Sequence, residues 1–212
     1  MNRLFPWLLL IVAITGLCWR FPLFHVVSLK RATEEKAAAT FNPATFAEKF
    51  WNEQLLKSLD RAVKAEELLH AIHANPTEAK KQFSRSVGVS ESYIYFLSGQ
   101  GRVVAVSEDE ISLTVTAGTT DAEVALQVGL LFGNAIRDGT GLLNVSDFPN
   151  SQDFNAISEA LNHLVETRVQ PKLREVAKVG AIIRFAGCTE VSDESADLKP
   201  LKVVPVLVEV GR

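Results

Sequence analysis

Residues 133–141 read GNAIRDGTG: three glycines, an amide and an adjacent Arg137–Asp138 pair in nine positions. A guanidinium, a carboxylate and an amide at one turn are groups that grip phosphates or hydroxyl-rich molecules. Phosphate cradling of the Walker kind needs a lysine to reach the outer phosphates, and this stretch has none. A dinucleotide fingerprint fails as well: Gly139 and Gly141 are followed by Leu142, Leu143 and Asn144, with no third glycine in register. Two uses remain. One is a tight, glycine-dependent elbow in which Arg137 and Asp138 bond to backbone or to each other. The other is a site for a small polar solute, with Gln127, Asn134, Arg137 and Asp138 as its hydrogen-bonding members.

The remaining reactive side chains form no catalytic pattern. Glu66, His70 and His73 share about 60° of a helical face at about 100° per residue, close enough together to hold a metal ion. That arc lies opposite Ala65, Leu68 and Ile72, so it reads as the solvated face of an amphipathic helix. No G-x-S-x-G elbow is present, and nothing recommends Ser151 with His163 as a nucleophile and its base. Asp109, Glu110, Asp121, Asp147 and Asp153 read as solvated turn and loop carboxylates. Neither Cys18 nor Cys188 has a cysteine or histidine at zinc-site spacing. The expectation is a protein with no catalytic residues, metal or cofactor, and not an enzyme. A formal charge of −3 without any basic block gives no electrostatic footprint for nucleic acid.

The elements that must position these groups follow an address. Residues 4–19 carry no charge, with Arg3 before them and Arg20 after. The run is slightly short for a spanning helix and slightly long for a signal core. Residues 1–29 are therefore a signal or membrane anchor, and three outcomes stay open: lipidation at Cys18, an uncleaved anchor, or ordinary cleavage. Residues 30–40, KRATEEKAAAT, form a charged, alanine-rich spacer. A lone N-terminal apolar run ahead of a globular body serves export. The body is therefore expected to be exported and held at the membrane by its N-terminus.

Residues 41–88 read as a helical segment. Asn42-Pro43 and Asn75-Pro76 are helix starts, and Phe46, Phe50, Leu55, Leu59 and Val63, then Leu68, Leu69 and Ile72, keep helical spacing. Residues 89–212 change character. Strands are predicted at 93–106, with a bend at Gly99 and Gly101, then at 111–115, 123–128, 181–187 and 203–210. A helix over 151–179, kinked or restarted at Pro171, falls between the third and fourth. The fold class is α+β: N-terminal helices followed by a small OB-like β-barrel with an inserted helix.

One stretch carries a further signal. Leu126, Gln127, Gly129, Gly133, Ala135, Ile136, Arg137 and Asp138 lead into Asp147-Phe148, Gln152 and Ala160-Leu161-Asn162. With both helix starts, Trp51 and the terminal VVPVLVEV, the chain resembles the bacterial family of predicted periplasmic lipoproteins over most of residues 41–210. Arg137-Asp138 lies in its most specific part, whereas Leu130 and Asn134 stand where the family form has proline and threonine. The resemblance implies an exported, membrane-tethered protein with an OB-like domain and no settled activity, often encoded beside sugar ABC-transporter components. It is accordingly expected to be an accessory protein on the periplasmic side of the inner membrane, contacting a transporter or its solute-binding protein. The alternative is a protein that binds a small polar solute such as a sugar.

Overall fold

Asn42 starts the first helix by accepting the Thr45 amide on Oδ1 at 3.0 Å, and Pro43 follows where a missing N–H leaves nothing unpaired. The computed structural model describes residues 41–86, 92–148 and 150–211; the anchor at 1–29, the spacer at 30–40 and Cys18 lie outside them. Among the described residues no helix is long and apolar enough to cross a membrane. Residues Asn42–Arg212 make one compact unit.

Helix α1 (Pro43–Phe50) buries Ala47 and Phe50, then continues through a π-helical turn, Trp51–Leu55, and a 3-10 turn, Leu56–Arg61. Val63, expected to continue the helical spacing, instead pairs with Leu97 of the strand at 93–106: Val63–Lys64 is a two-residue strand, β1, that leads into α2 (Ala65–Ala74). Its Ala65, Leu68, Leu69 and Ile72 are buried, while Glu66, His70 and His73 are exposed, as an amphipathic face requires. Asn75 caps α3 (Pro76–Phe83) by accepting the Glu78 amide at 3.2 Å, and β2 (Ser84–Arg85) follows.

Five longer strands come next in two groups: β3 (Tyr93–Val106), β4 (Glu110–Thr114) and β5 (Val124–Gln127), then β6 (Ile182–Val191) and β7 (Leu201–Val210). Strand β3 serves two neighbours, pairing with β6 over residues 93–102 and with β4 from Arg102 onward. The pairings run β3–β4–β5–β7–β6 and return from β6 to β3, so the ring closes. Only β5 and β7 within that ring are parallel. An order of first, second, third, fifth and fourth strand, with helix inserted after the third, is the OB arrangement. The interior is a ladder of facing apolar residues: Val103 against Leu113, Leu113 against Val124, Ile111 against Leu126, and Leu126 against Val203. Each of these is at most 1% exposed.

The segment between β5 and β6 holds α4 (Ala135–Gly139), a 3-10 turn (Val145–Asp147), α5 (Ser151–Leu164), a π-helical turn (Val165–Val169) and α6 (Gln170–Val176). Of the two outcomes expected at Pro171 within 151–179, the restart is the one found: two helices joined by a wide turn, ending at Val176. Pro171 has no N–H to return to the preceding turn, so the ladder opens before it and α6 starts afresh. A short α7 (Glu194–Asp197) joins β6 to β7.

Candidate functional site

The stretch from Gly129 to Asn134 has no regular structure of its own, yet side chains of α5 and α6 fix it bond by bond. Gln170 grips Gly129 at both ends: Oε1 accepts its N–H at 3.0 Å and Nε2 donates to its carbonyl at 2.8 Å. Glu166 Oε1 accepts the Leu131 amide at 2.8 Å, and Asn162 Nδ2 donates to the Gly133 carbonyl at 3.2 Å. The Ser158 hydroxyl donates to Asn134 Oδ1 at 2.8 Å. Gly133 turns the chain with φ of 89°, a conformation that side-chain-bearing residues rarely adopt. Held this way, Leu131 turns inward, and Leu130 and Phe132 project into solvent at 78% and 82% exposure.

Behind this segment sits α4, the centre of GNAIRDGTG. Arg137 donates from Nε to Asp138 Oδ1 at 2.7 Å and from Nη2 to Oδ2 at 2.8 Å. Its Nη1 reaches the Phe154 carbonyl at 3.3 Å and Asn155 Oδ1 at 3.0 Å. Both members of the pair are buried, at 5% and 6% exposure. A planar guanidinium is suited to such a fork, because two parallel N–H bonds match the two carboxylate oxygens. The elbow is therefore built as a short helix whose charged pair is turned into the protein.

In front of it lies a cleft of about 500 Å³, lined by Leu131, Phe132 and Asn134 on one side and a stripe of α5 on the other. The stripe is Asn155, Ser158, Glu159, Asn162, His163 and, in the π turn, Glu166. Three amides face it, each tied at one end. Asn134 uses Oδ1 for Ser158, Asn155 uses Oδ1 for Arg137, and Asn162 uses Nδ2 for Gly133. Among the described residues the opposite ends, Nδ2 of Asn134, Nδ2 of Asn155 and Oδ1 of Asn162, have no protein partner, and none is counted among the buried unpaired atoms. Two donors and one acceptor thus stand ready with their side chains already oriented.

Asn134 lines this cleft, whereas Arg137 and Asp138 stand behind it, in contact through Asn155. Gln127 belongs to a neighbouring cleft of about 490 Å³ with Asp109, across the ridge of Leu131 and Phe132. Ser151 and His163 sit on one helix, separated by about 18 Å of helical rise, and cannot exchange a proton directly. Among the described residues no group of His, Cys, Asp and Glu is placed to hold a metal ion. The sequence reading missed the α5 stripe, although its signal is present. Polar residues at 155, 158, 159, 162, 163 and 166 recur at helical spacing opposite Phe154, Ile157, Leu161 and Leu164. Ser158 and Asn162 are buried polar members of that stripe, which a merely solvated face would not require.

The family described as predicted periplasmic lipoprotein (DUF2291) matches residues 8–209. No curated protein matches the chain. An OB-fold protein of Thermotoga maritima, known from a crystal structure, is similar at 25% identity and a TM-score of 0.70, over 81% of this chain and 99% of that one. That likeness agrees with the strand order above. The chain belongs to the family of predicted periplasmic lipoproteins, and membership carries a periplasmic, membrane-associated location.

Proposed function

We propose that this protein is a non-catalytic binding module, tethered by its N-terminal apolar run, that holds a small, uncharged, hydroxyl-rich solute. The observation behind this reading is the set of three half-satisfied amides of Asn134, Asn155 and Asn162 around one cleft. A hydroxyl both donates and accepts, so it can satisfy Nδ2 and Oδ1 groups that a purely anionic or cationic ligand could not. The ionisable groups lining the cleft are Glu159, Glu166 and His163, and two carboxylates disfavour an anion. Phe132, at the rim, offers an apolar face to the C–H side of a sugar ring.

The test is isothermal titration and thermal unfolding of the full chain in detergent against a panel of sugars and polyols. A ligand at 100 times its Kd adds about 2.7 kcal/mol, a shift of several degrees. If no sugar or polyol shifts unfolding, or if the shift is undiminished on loss of the Asn155 amide, the cleft is not a solute site.

A second reading, an accessory protein that docks on an ABC-transporter component or its solute-binding protein, draws on Leu130 and Phe132. Two large apolar side chains on a clamped backbone form a ready-made contact tip. A photocrosslinker at position 132, used in intact membranes, would capture such a component.

A further inference from the structure

A second cleft lies on the opposite half of the glycine-rich stretch. It has a volume of about 280 Å³, and its polar lining is Arg61, Gln82, Ser84, Arg85 and Thr140. Among the described residues no carboxylate lines it. Among the described residues neither the Arg61 nor the Arg85 guanidinium has a hydrogen bond or ion pair, although most other arginine side chains do. The nearest acid in sequence to Thr140, Asp138, has both its oxygens committed to Arg137.

Arg85 lies on β2 and Arg61 ends the 3-10 turn just before β1, and both line the one cleft. β2 pairs Ser84 with Tyr95 and Arg85 with Ile94, while β1 runs parallel to β3 with Val63 beside Leu97. Arg61 precedes Val63 by two residues, and it shares a cleft with Arg85 and with Phe96 of β3. Both cations therefore reach the same stretch of β3. Gly141 completes the arrangement. Its φ is 64°, and a β-carbon there would overlap the Arg85 guanidinium, so glycine alone lets Arg85 lie across the Gly139–Thr140 turn.

We infer that Arg61 and Arg85, with Gln82 and the Thr140 hydroxyl, form a binding site for a small oxyanion of the phosphate class. Two guanidinium groups provide forked N–H donors that match phosphate oxygens, the amide and hydroxyl supply neutral donors, and no acid opposes the charge. The phosphate can come from a free anion or from a phospholipid headgroup, and the chemistry of recognition is the same.

The experiment is arginine modification of the full chain with phenylglyoxal, at constant ionic strength and with peptide mapping, in detergent when the probe is the free anion and reconstituted without detergent when it is a vesicle. Inorganic phosphate is one protecting probe and phosphatidylglycerol vesicles are the other. Saturable protection of Arg61 and Arg85, with Arg102 and Arg184 still modified, is the expected result. Protection by vesicles but not by free phosphate supports the same site with a headgroup as its occupant. Arg85→Gln should weaken phosphate about tenfold, the loss of one charge-assisted fork. Gly141→Ala should do likewise by pushing Arg85 aside. Equal protection of all four arginines, or phosphate affinity unchanged in Arg85→Gln, overturns the site.

Discussion

Arg137 lies over the Phe154 ring, its Cζ 3.9 Å from the ring centroid, while its N–H groups are taken by Asp138, Asn155 and the Phe154 carbonyl. The ring contact and the fork act together, since a guanidinium over a ring keeps its N–H groups available to other partners. Removing it would leave the Asp138 carboxylate buried without a partner. Arg137→Ala should lower unfolding free energy by about 3 kcal/mol, the usual penalty for half of a buried ion pair. Arg137→Lys should recover little, because an ammonium neither forks nor stacks. Denaturant unfolding of the full chain without added sugar measures both. An unchanged midpoint in Arg137→Ala would show the pair to have no structural role.

Asn155 separates binding from folding. It is exposed, and its amide makes one protein hydrogen bond, to Arg137. Asn155→Ala should change stability by less than about 1 kcal/mol while weakening the sugar that stabilises the wild-type chain about tenfold. Gln127→Ala, in the neighbouring cleft, should leave that affinity unchanged. If Gln127→Ala abolishes binding and Asn155→Ala does not, the solute lies across the Leu131–Phe132 ridge instead.

Cys188 and Gly139 pack against each other where α4 meets β6. A β-carbon on Gly139 would lie 2.7 Å from Cys188 Sγ and 3.0 Å from Ile94 Cγ2. Full burial pushes the Cys188 thiol well above its ordinary range, so almost no thiolate exists at neutral pH. In the folded chain Cys188 should resist iodoacetamide, and denaturant should expose it. Gly139→Ala overpacks this contact and should destabilise by about 1–3 kcal/mol. Peptide mapping of alkylation reads both effects, and rapid labelling of native Cys188 would contradict the burial.

The barrel was legible because its strands announce themselves through β-branched and aromatic runs of the right length, as in residues 93–106 and 203–210. The Asn-Pro helix starts were legible for the same reason: capping is local chemistry, and Asn42 and Asn75 cap as expected. The site was legible only in part. Arg137 and Asp138 stood out by residue type, but which way a charged pair faces depends on Phe154 and Asn155, seventeen and eighteen residues away from Arg137. The clamps from Gln170, Glu166 and Asn162 span 29 to 41 residues, and no local pattern encodes such distances. The π-helical turn escaped as well, because Pro171 signals an interruption without telling how the preceding turn will widen.

Glu123 makes the loop after β4 sensitive to acid. Its Oε2 accepts the Val115 and Thr116 amides, each at 2.7 Å, and the Thr114 hydroxyl at 3.2 Å. Burial raises the carboxyl's pKa, but the hydrogen bonds to Thr116, Val115 and Thr114 more than offset it, leaving the group below its ordinary 4.5. A carboxylate depressed in the folded state contributes stability that is fully present above its unfolded value and is lost as pH falls through the folded one. Glu123→Gln should therefore lower stability at neutral pH by roughly 1 kcal/mol, a modest figure because the side chain is partly exposed and screened. The difference between wild type and variant should shrink on acidification below pH 4.5 as the wild-type carboxylate takes up its proton. Denaturant midpoints measured across that range decide the matter. A gap that stays constant with pH would mean that the loop is held by shape alone and not by the charge of Glu123.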